Sequence, residues 1–265
     1  MIGFDGSPGL AAQLEAGLAR LVTVFPEHLA KPTPPAPFEP HQAARNDQFD
    51  AIVRAHKRDR LALPIQALIW TGAPHHGFEQ MHLRRLAWFV PTMLAAWLER
   101  RIGANDLRFG PDDIERILGS TIEVEGWLPW TQDEYDALQA FFATAIDAAL
   151  ATALPPARPS GRPAEDGVAV WSEHGPSVPL EVLRVARTLE LPLGPLVTRW
   201  VAEPSLDHLL EGVLDPTTSA KHVLAEEAVA DRLGEAFFAA AGERALRISK
   251  AEKIVRRWID RRDDF

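Results

Sequence analysis

Not one of the chain's 265 residues is cysteine. Disulfides, thiolate zinc sites, iron–sulfur clusters and cysteine nucleophiles are thereby excluded. A long apolar run is missing as well. The most apolar stretch, Leu86–Leu98, is interrupted by Pro91 and Thr92, and Arg84, Arg85, Glu99, Arg100 and Arg101 flank it. A spanning helix needs roughly 18–20 apolar residues. The expectation is therefore a buried central helix and no transmembrane segment. Met1–Leu10 holds neither a basic n-region nor a long apolar h-region, so no secretory leader is expected and the expected location is the cytoplasm. Positive charge is the sign in short supply: 28 basic against 37 acidic side chains leave a net charge of −9. The phosphates of a nucleic acid would be repelled at long range, which argues against it as a general partner.

Motifs of chemistry are equally scarce. No Gly-x-Ser-x-Gly elbow occurs, so the usual serine-hydrolase turn is absent. Gly3–Gly9 is rich in glycine but lacks the Gly-Lys-Ser/Thr ending and the preceding strand of a phosphate-binding loop. No glycine fingerprint follows a strand, and no cofactor is expected. Asp112, Asp113 and Glu115 stand together as paired carboxylates might. Compensation of a helix N-terminal dipole explains them without chemistry.

What the chain does contain is apolar residues at helical spacing. The first helix is expected to open with Ser7 as N-cap and Pro8 at its first position. Its stripe is Leu10, Leu14, Leu18, Leu21, Val22 and Phe25, and Pro26 ends it. Lys31–Pro40 carries prolines at 32, 34, 35, 37 and 40, which predicts an extended strap over the surface. A polar helix over Gln42–Arg60 and a short one over Pro64–Thr71 precede the hydrophobic centre, Phe78–Arg101. There Pro91 demands either a kink or a new helix start. Gly110-Pro111-Asp112-Asp113 opens another helix, expected to stop near Gly119. Thr121–Glu125 then alternates polar and apolar residues, the pattern of one short strand that alone makes no sheet. Thr131-Gln132-Asp133-Glu134 is a capping box, and Tyr135, Leu138, Phe141, Phe142, Ala145, Ile146, Ala149 and Leu150 form the wide apolar face behind it. Leu154–Gly167, with four prolines and two glycines, is the expected linker.

The second half reads as short helices punctuated by Pro192, Pro195, Pro204 and Pro216. Leu193, Leu196, Val197, Trp200 and Val201 make one stripe, and Leu206, Leu209, Leu210, Val213 and Leu214 the next. A longer helix over Ser219–Ala241 is expected to bury Val229, Leu233, Ala236, Phe237 and Ala240. A last helix is expected to start at a second capping box, Ser249-Lys250-Ala251-Glu252, and to bury Ala251, Ile254, Val255 and Trp258. The fold class is thus all-α, an orthogonal bundle of about eight to ten helices divisible into two halves. Those halves are residues 1–153, including the strap 31–40, and 168–265, joined by the linker 154–167. Ala140-Phe141-Phe142-Ala143 recurs as Ala236-Phe237-Phe238-Ala239, an offset of 96 residues. That offset lies far outside the ~20–50-residue periods of solenoids, and coincidence in an Ala- and Leu-rich chain is the simpler account.

Three motifs in the central third bear on kinship. Phe89-Val90-Pro91 with Met93 and Leu94 is followed by a turn holding Gly126, Trp127 and Trp130, then by a helix with Glu134, Ala137, Leu138 and Phe141. Over Leu63–Leu154 this resembles a family of uncharacterised bacterial helical proteins with a Phe-Leu-Pro helix and a Gly-Trp-x-x-Trp turn. The resemblance implies a helical fold and carries no activity. Family members place an acidic residue, an Arg and a His near the first motif. Here those places hold Arg85, Ala87 and Trp88, so the resemblance implies that such a polar cluster is lost.

Two groups of site candidates remain. His75, His76, Glu79 and His82 are the densest imidazole cluster, and Glu79 and His82 share a helix face at i, i+3. Di-iron bundles use that spacing but need a second such motif and two further Glu, and no second Glu-x-x-His exists, so no metal is assigned. The other group is for partners. Trp127 and Trp130 sit at a helix entry, as a hydrophobic staple or a hot spot would. Arg247, Lys250, Arg256 and Arg257 belong to the basic segment Arg244–Arg262, which could touch an anionic partner. The leading reading is a non-enzymatic helical protein-interaction module or scaffold. An enzyme or metal protein using Glu79 and His82, and an anion-binding accessory using the basic C-terminal helix, are the alternatives.

Overall fold

The structure, a computed structural model, describes residues 8–25, 50–65, 86–99, 110–125, 130–152, 178–204, 206–214 and 220–261. Among these no strand occurs, and the architecture is an all-α bundle of many helices. The chain forms two compact units. The first comprises Met1–Thr144 with Thr188–Leu191, and the second comprises Ala145–Arg187 with Pro192–Phe265. The Ser7 cap, the Lys31–Pro40 strap and the Leu154–Gly167 linker lie outside the described residues, as does all of Pro64–Thr71 beyond Ile65.

The first unit contains α1 (Pro8–Val24), a 3₁₀ turn at Arg60–Ala62, α2 (Val90–Glu99), α3 (Pro111–Glu125) and the first part of α4 (Gln132–Ala151). Leu14, Leu18, Leu21 and Phe25 are buried at helical spacing, as the α1 stripe requires. Its centre is Leu86–Leu98, where Trp88, Phe89 and Trp97 are among the largest fully buried side chains. Pro91 marks a new helix start rather than a kink. Phe89 N–H closes a turn on the Leu86 carbonyl at 2.9 Å, and the Phe89 carbonyl then accepts from Met93 N–H at 2.8 Å as the first bond of α2. In the opening turn of a helix a missing N–H forfeits nothing, so proline is tolerated there.

α3 corrects the strand expected at Thr121–Glu125 and the stop expected near Gly119: the helix continues to Glu125. Ile114, Ile117 and Leu118 are buried. A helix satisfies its own backbone donors, whereas a lone strand leaves them unpaired. That advantage outweighs the roughly 1 kcal/mol cost of a helical glycine at position 119. The box at the start of α4 is formed as expected. Thr131 N–H donates to Glu134 Oε2 at 2.7 Å, and Glu134 N–H donates to Thr131 Oγ1 at 3.3 Å.

The second unit contains the rest of α4, then α5 (Val178–Thr188, to Arg187), α6 (Gly194–Val201), α7 (Asp207–Leu214), α8 (Lys221–Leu224), α9 (Glu227–Ala239) and α10 (Gly242–Asp260). α9 packs on α6 and α10, and α10 on α7 and α8. The single helix expected over Ser219–Ala241 is broken. Ala225 adopts φ −75°, ψ 59°, and Glu226 N–H donates to the Leu224 carbonyl at 2.8 Å. This is an inverse γ-turn, and it seats both Leu224 and Val229 in the core, each 0% exposed. The last helix starts at Gly242, seven residues before the expected capping box. Gly242 takes φ 60°, a left-handed value that glycine adopts without steric cost. The turn lets Ile248 join Ala251 and Val255 in one buried stripe.

The burial expected of Val229 and Leu233 is found, but Phe237 is 37% exposed and Ala236, Ala240, Ile254 and Trp258 are half-buried, while Phe238, placed on no expected stripe, is 88% exposed. The counterparts of Phe237 and Phe238 in the recurring tetrapeptide, Phe141 and Phe142, are 1% and 0% exposed. The four-residue likeness therefore carries no shared structural role.

Candidate interaction surface

His75, His76, Glu79, His82 and Trp127 lie outside the described residues. Among the described residues no group of three or more His, Asp and Glu is placed to hold a metal ion. The Asp112–Glu115 carboxylates sit at the start of α3. There Asp113 Oδ2 accepts from Gly110 N–H at 2.9 Å and Oδ1 meets Arg116 at 3.2 Å. Asp113 thus satisfies one donor that every helix N-terminus leaves open. Trp130 is half-buried. Its indole N–H donates to the Leu189 carbonyl at 2.9 Å, and its ring meets the Phe25 ring edge-on with centroids 5.6 Å apart.

Arg60, which sequence reasoning missed, is a buried cation in the first unit, 4% exposed. Its Nη2 donates to the Val22 carbonyl at 2.7 Å and its Nη1 to the Phe25 carbonyl at 3.3 Å. The guanidinium lies 5.0 Å from the centroid of the Trp88 ring. A cation is favoured at the C-terminal end of α1, where the carbonyls carry partial negative charge. The role is structural, and no spacing in the sequence signals it.

Among the described residues of the second unit one imidazole is buried, that of His208, 6% exposed, whose Nε2 lies 2.8 Å from the Thr152 carbonyl. His222 is half-buried and its pKa is lowered from 6.5, first by burial and then by the charges of Arg187 and Lys221.

The surface of α9 and α10 divides the basic residues sharply. Arg244 pairs with Asp207 at 2.8 Å, and Arg247 pairs with Glu211. Arg256 contacts Glu252 at 3.0 Å, Asp231 at 3.7 Å and Glu227 at 3.8 Å. The hydrogen bond that Arg256 Nε donates to Glu252 is the main reason that Arg256 is held charged even more firmly than usual. Lys250, Lys253, Arg257 and Arg261 are exposed and make no ion pair among the described residues. Leu246, 72% exposed, begins their row, and the Phe237 and Phe238 rings, 5.7 Å apart, stand at the neighbouring end of α9. Of the basic candidates read from the sequence, Arg247 and Arg256 are thus engaged within the unit, while Lys250 and Arg257 face outward. Phe238 and Leu246 are not among the candidates read from the sequence: the expected apolar stripe runs through Phe237, and Leu246 precedes the helix start expected at Ser249.

Compared with protein-family models, with curated proteins and with solved structures, the chain matches none. Among the described residues no helix is long and apolar enough to cross a membrane.

Proposed function

We propose that the chain is a non-enzymatic helical protein-interaction module, working in the cytoplasm, whose contact surface is the outer face of α9 and α10. The observation that carries this reading is Phe238, 88% exposed on a regular helix next to Leu246 at 72%. Covering a Phe or Leu side chain is worth about 1.5–3 kcal/mol, and adjoining exposed apolar side chains mark contact sites. Both residues project from helices whose other faces are anchored in a core, so binding orders little that is not already ordered. The acidic residues beside them, Glu227, Asp231 and Glu235, oppose an anionic partner. Affinity capture with the intact chain as bait tests the reading. Phe238→Ser with Leu246→Ser should lose the proteins that wild type retains. An unchanged set, or no retained protein, overturns it.

A further inference from the structure

The outer faces of α9 and α10 are complementary to each other. On α9, Glu227, Asp231, Glu235 and Phe238 follow at steps of four, four and three, and all four are exposed. They lie opposite the buried Val229, Ala230 and Leu233. On α10, Leu246, Lys250, Lys253 and Arg257 follow at steps of four, three and four, again all exposed. They lie opposite the buried Ile248, Ala251 and Val255. Residues at such steps share one helix face. One helix therefore shows an acidic column ending in Phe238, and the other a basic column beginning with Leu246.

The register of the two columns follows from contacts inside the hairpin. Arg256 reaches Glu227 and Asp231, and a methyl group at Gly234 would lie 3.5 Å from Glu252 Oε1. The helices are antiparallel, so Arg257 lies level with Glu227–Asp231, Lys253 with Asp231–Glu235, and Lys250 with Glu235. Phe238 and Leu246 fall together at the turn. Within one chain only Arg256, on the side of α10 turned toward α9, bridges the columns, and it does so at 3.7 and 3.8 Å.

We infer that this face docks a second copy of the chain through a two-fold axis running along the α9–α10 hairpin. This inference rests on the reading of the face as a contact surface. The operation preserves height along the hairpin and sets α9 of one copy beside α10 of the other. Each acidic column then meets a basic column, twice over, and Phe238 meets the partner's Leu246. The contact is isologous and closed, as two-fold interfaces are. A membrane or a nucleic acid would use Lys250, Lys253 and Arg257 but would be repelled by the acids level with them. A second copy uses both columns.

Sedimentation equilibrium of the full chain is the test, with circular dichroism to confirm folding. Wild type is expected to dimerise, with the dimer weakened by added salt. Phe238→Ser changes an exposed side chain and should raise the dissociation constant at least about tenfold. An all-acidic variant (Lys250→Glu, Lys253→Glu, Arg257→Glu) and an all-basic variant (Glu227→Lys, Asp231→Lys, Glu235→Lys) should each be monomeric, and their equimolar mixture should form a heterodimer. A wild type that is monomeric at about 100 μM, triple variants that dimerise like wild type, or a mixture that stays monomeric overturns the inference. So does binding of the monomer to phosphatidylserine vesicles through the same residues. Should a triple variant fail to fold, the Phe238→Ser result decides. If wild type is monomeric but Phe238→Ser still loses a captured protein, self-docking fails and the interaction-module reading stands. If both results are negative, both fail.

Discussion

Gly212→Ala sets two known effects against each other inside α7. Alanine is a better helix former than glycine by about 1 kcal/mol, so in open space this change stabilises. Here a methyl group at position 212 would sit 2.8 Å from Trp200 Cη2, 3.0 Å from Cζ2 and 3.7 Å from Leu224 Cδ1. Trp200 is 0% exposed, so its indole is enclosed by the core. Forcing an extra carbon into a packed core costs about 1–3 kcal/mol. Overpacking therefore wins, with a net loss of about 1 kcal/mol and a fall in Tm of about 2–4 °C for a chain of this size. Thermal melts followed at 222 nm measure it. The same change in a Trp200→Phe background supplies the control. Phenylalanine lacks the outer indole atoms that the methyl meets, so there Gly212→Ala should be neutral or stabilising, and a double-mutant cycle reports the coupling. A higher Tm in the wild-type background, or equal shifts in both, would refute the steric argument.

Other outcomes follow from the same structure. Thr131→Ala removes the hydroxyl that accepts from Glu134 N–H and should cost about 1 kcal/mol in urea denaturation, while Thr131→Ser should not. Arg60→Lys keeps the charge but not the fork that spans the Val22 and Phe25 carbonyls. It should lose about 2 kcal/mol by the same assay, and a fully stable lysine variant would contradict the bidentate role. His222 is held below its ordinary 6.5, first by burial, so the unfolded chain takes up a proton there before the folded one does. Stability should therefore decline as pH falls through about 6.5, and the His222→Gln chain should decline less between about pH 7.5 and 5.5. Identical pH slopes for the two chains would remove His222 from the account.

The features that sequence alone determined are those closed within a few residues. The Thr131–Glu134 box needs only a donor and an acceptor three positions apart, and both bonds form. The α1, α6 and α7 stripes need only the helical repeat, and Leu14, Leu18, Trp200 and Leu209 are buried accordingly. Of the candidate surface, Lys250 and Arg257 were legible as members of a basic run. That Arg247 and Arg256 are tied to Glu211 and Asp231 was not, since those partners lie on other helices.

Tertiary structure decided the rest. Ala225 turns because the core has places for both Leu224 and Val229, a demand no local propensity expresses. Ser249-Lys250-Ala251-Glu252 has the spelling of a cap yet lies inside α10, because the helix already began at Gly242 and those N–H groups are paired. The recurring tetrapeptide makes the point most directly: Phe142 is 0% exposed and Phe238 88%. Helical spacing says that a residue shares a face with its neighbours, but whether that face meets a core or solvent depends on what distant segments bring against it. The exposed hairpin face, on which the proposed function rests, exists only in that second kind of information.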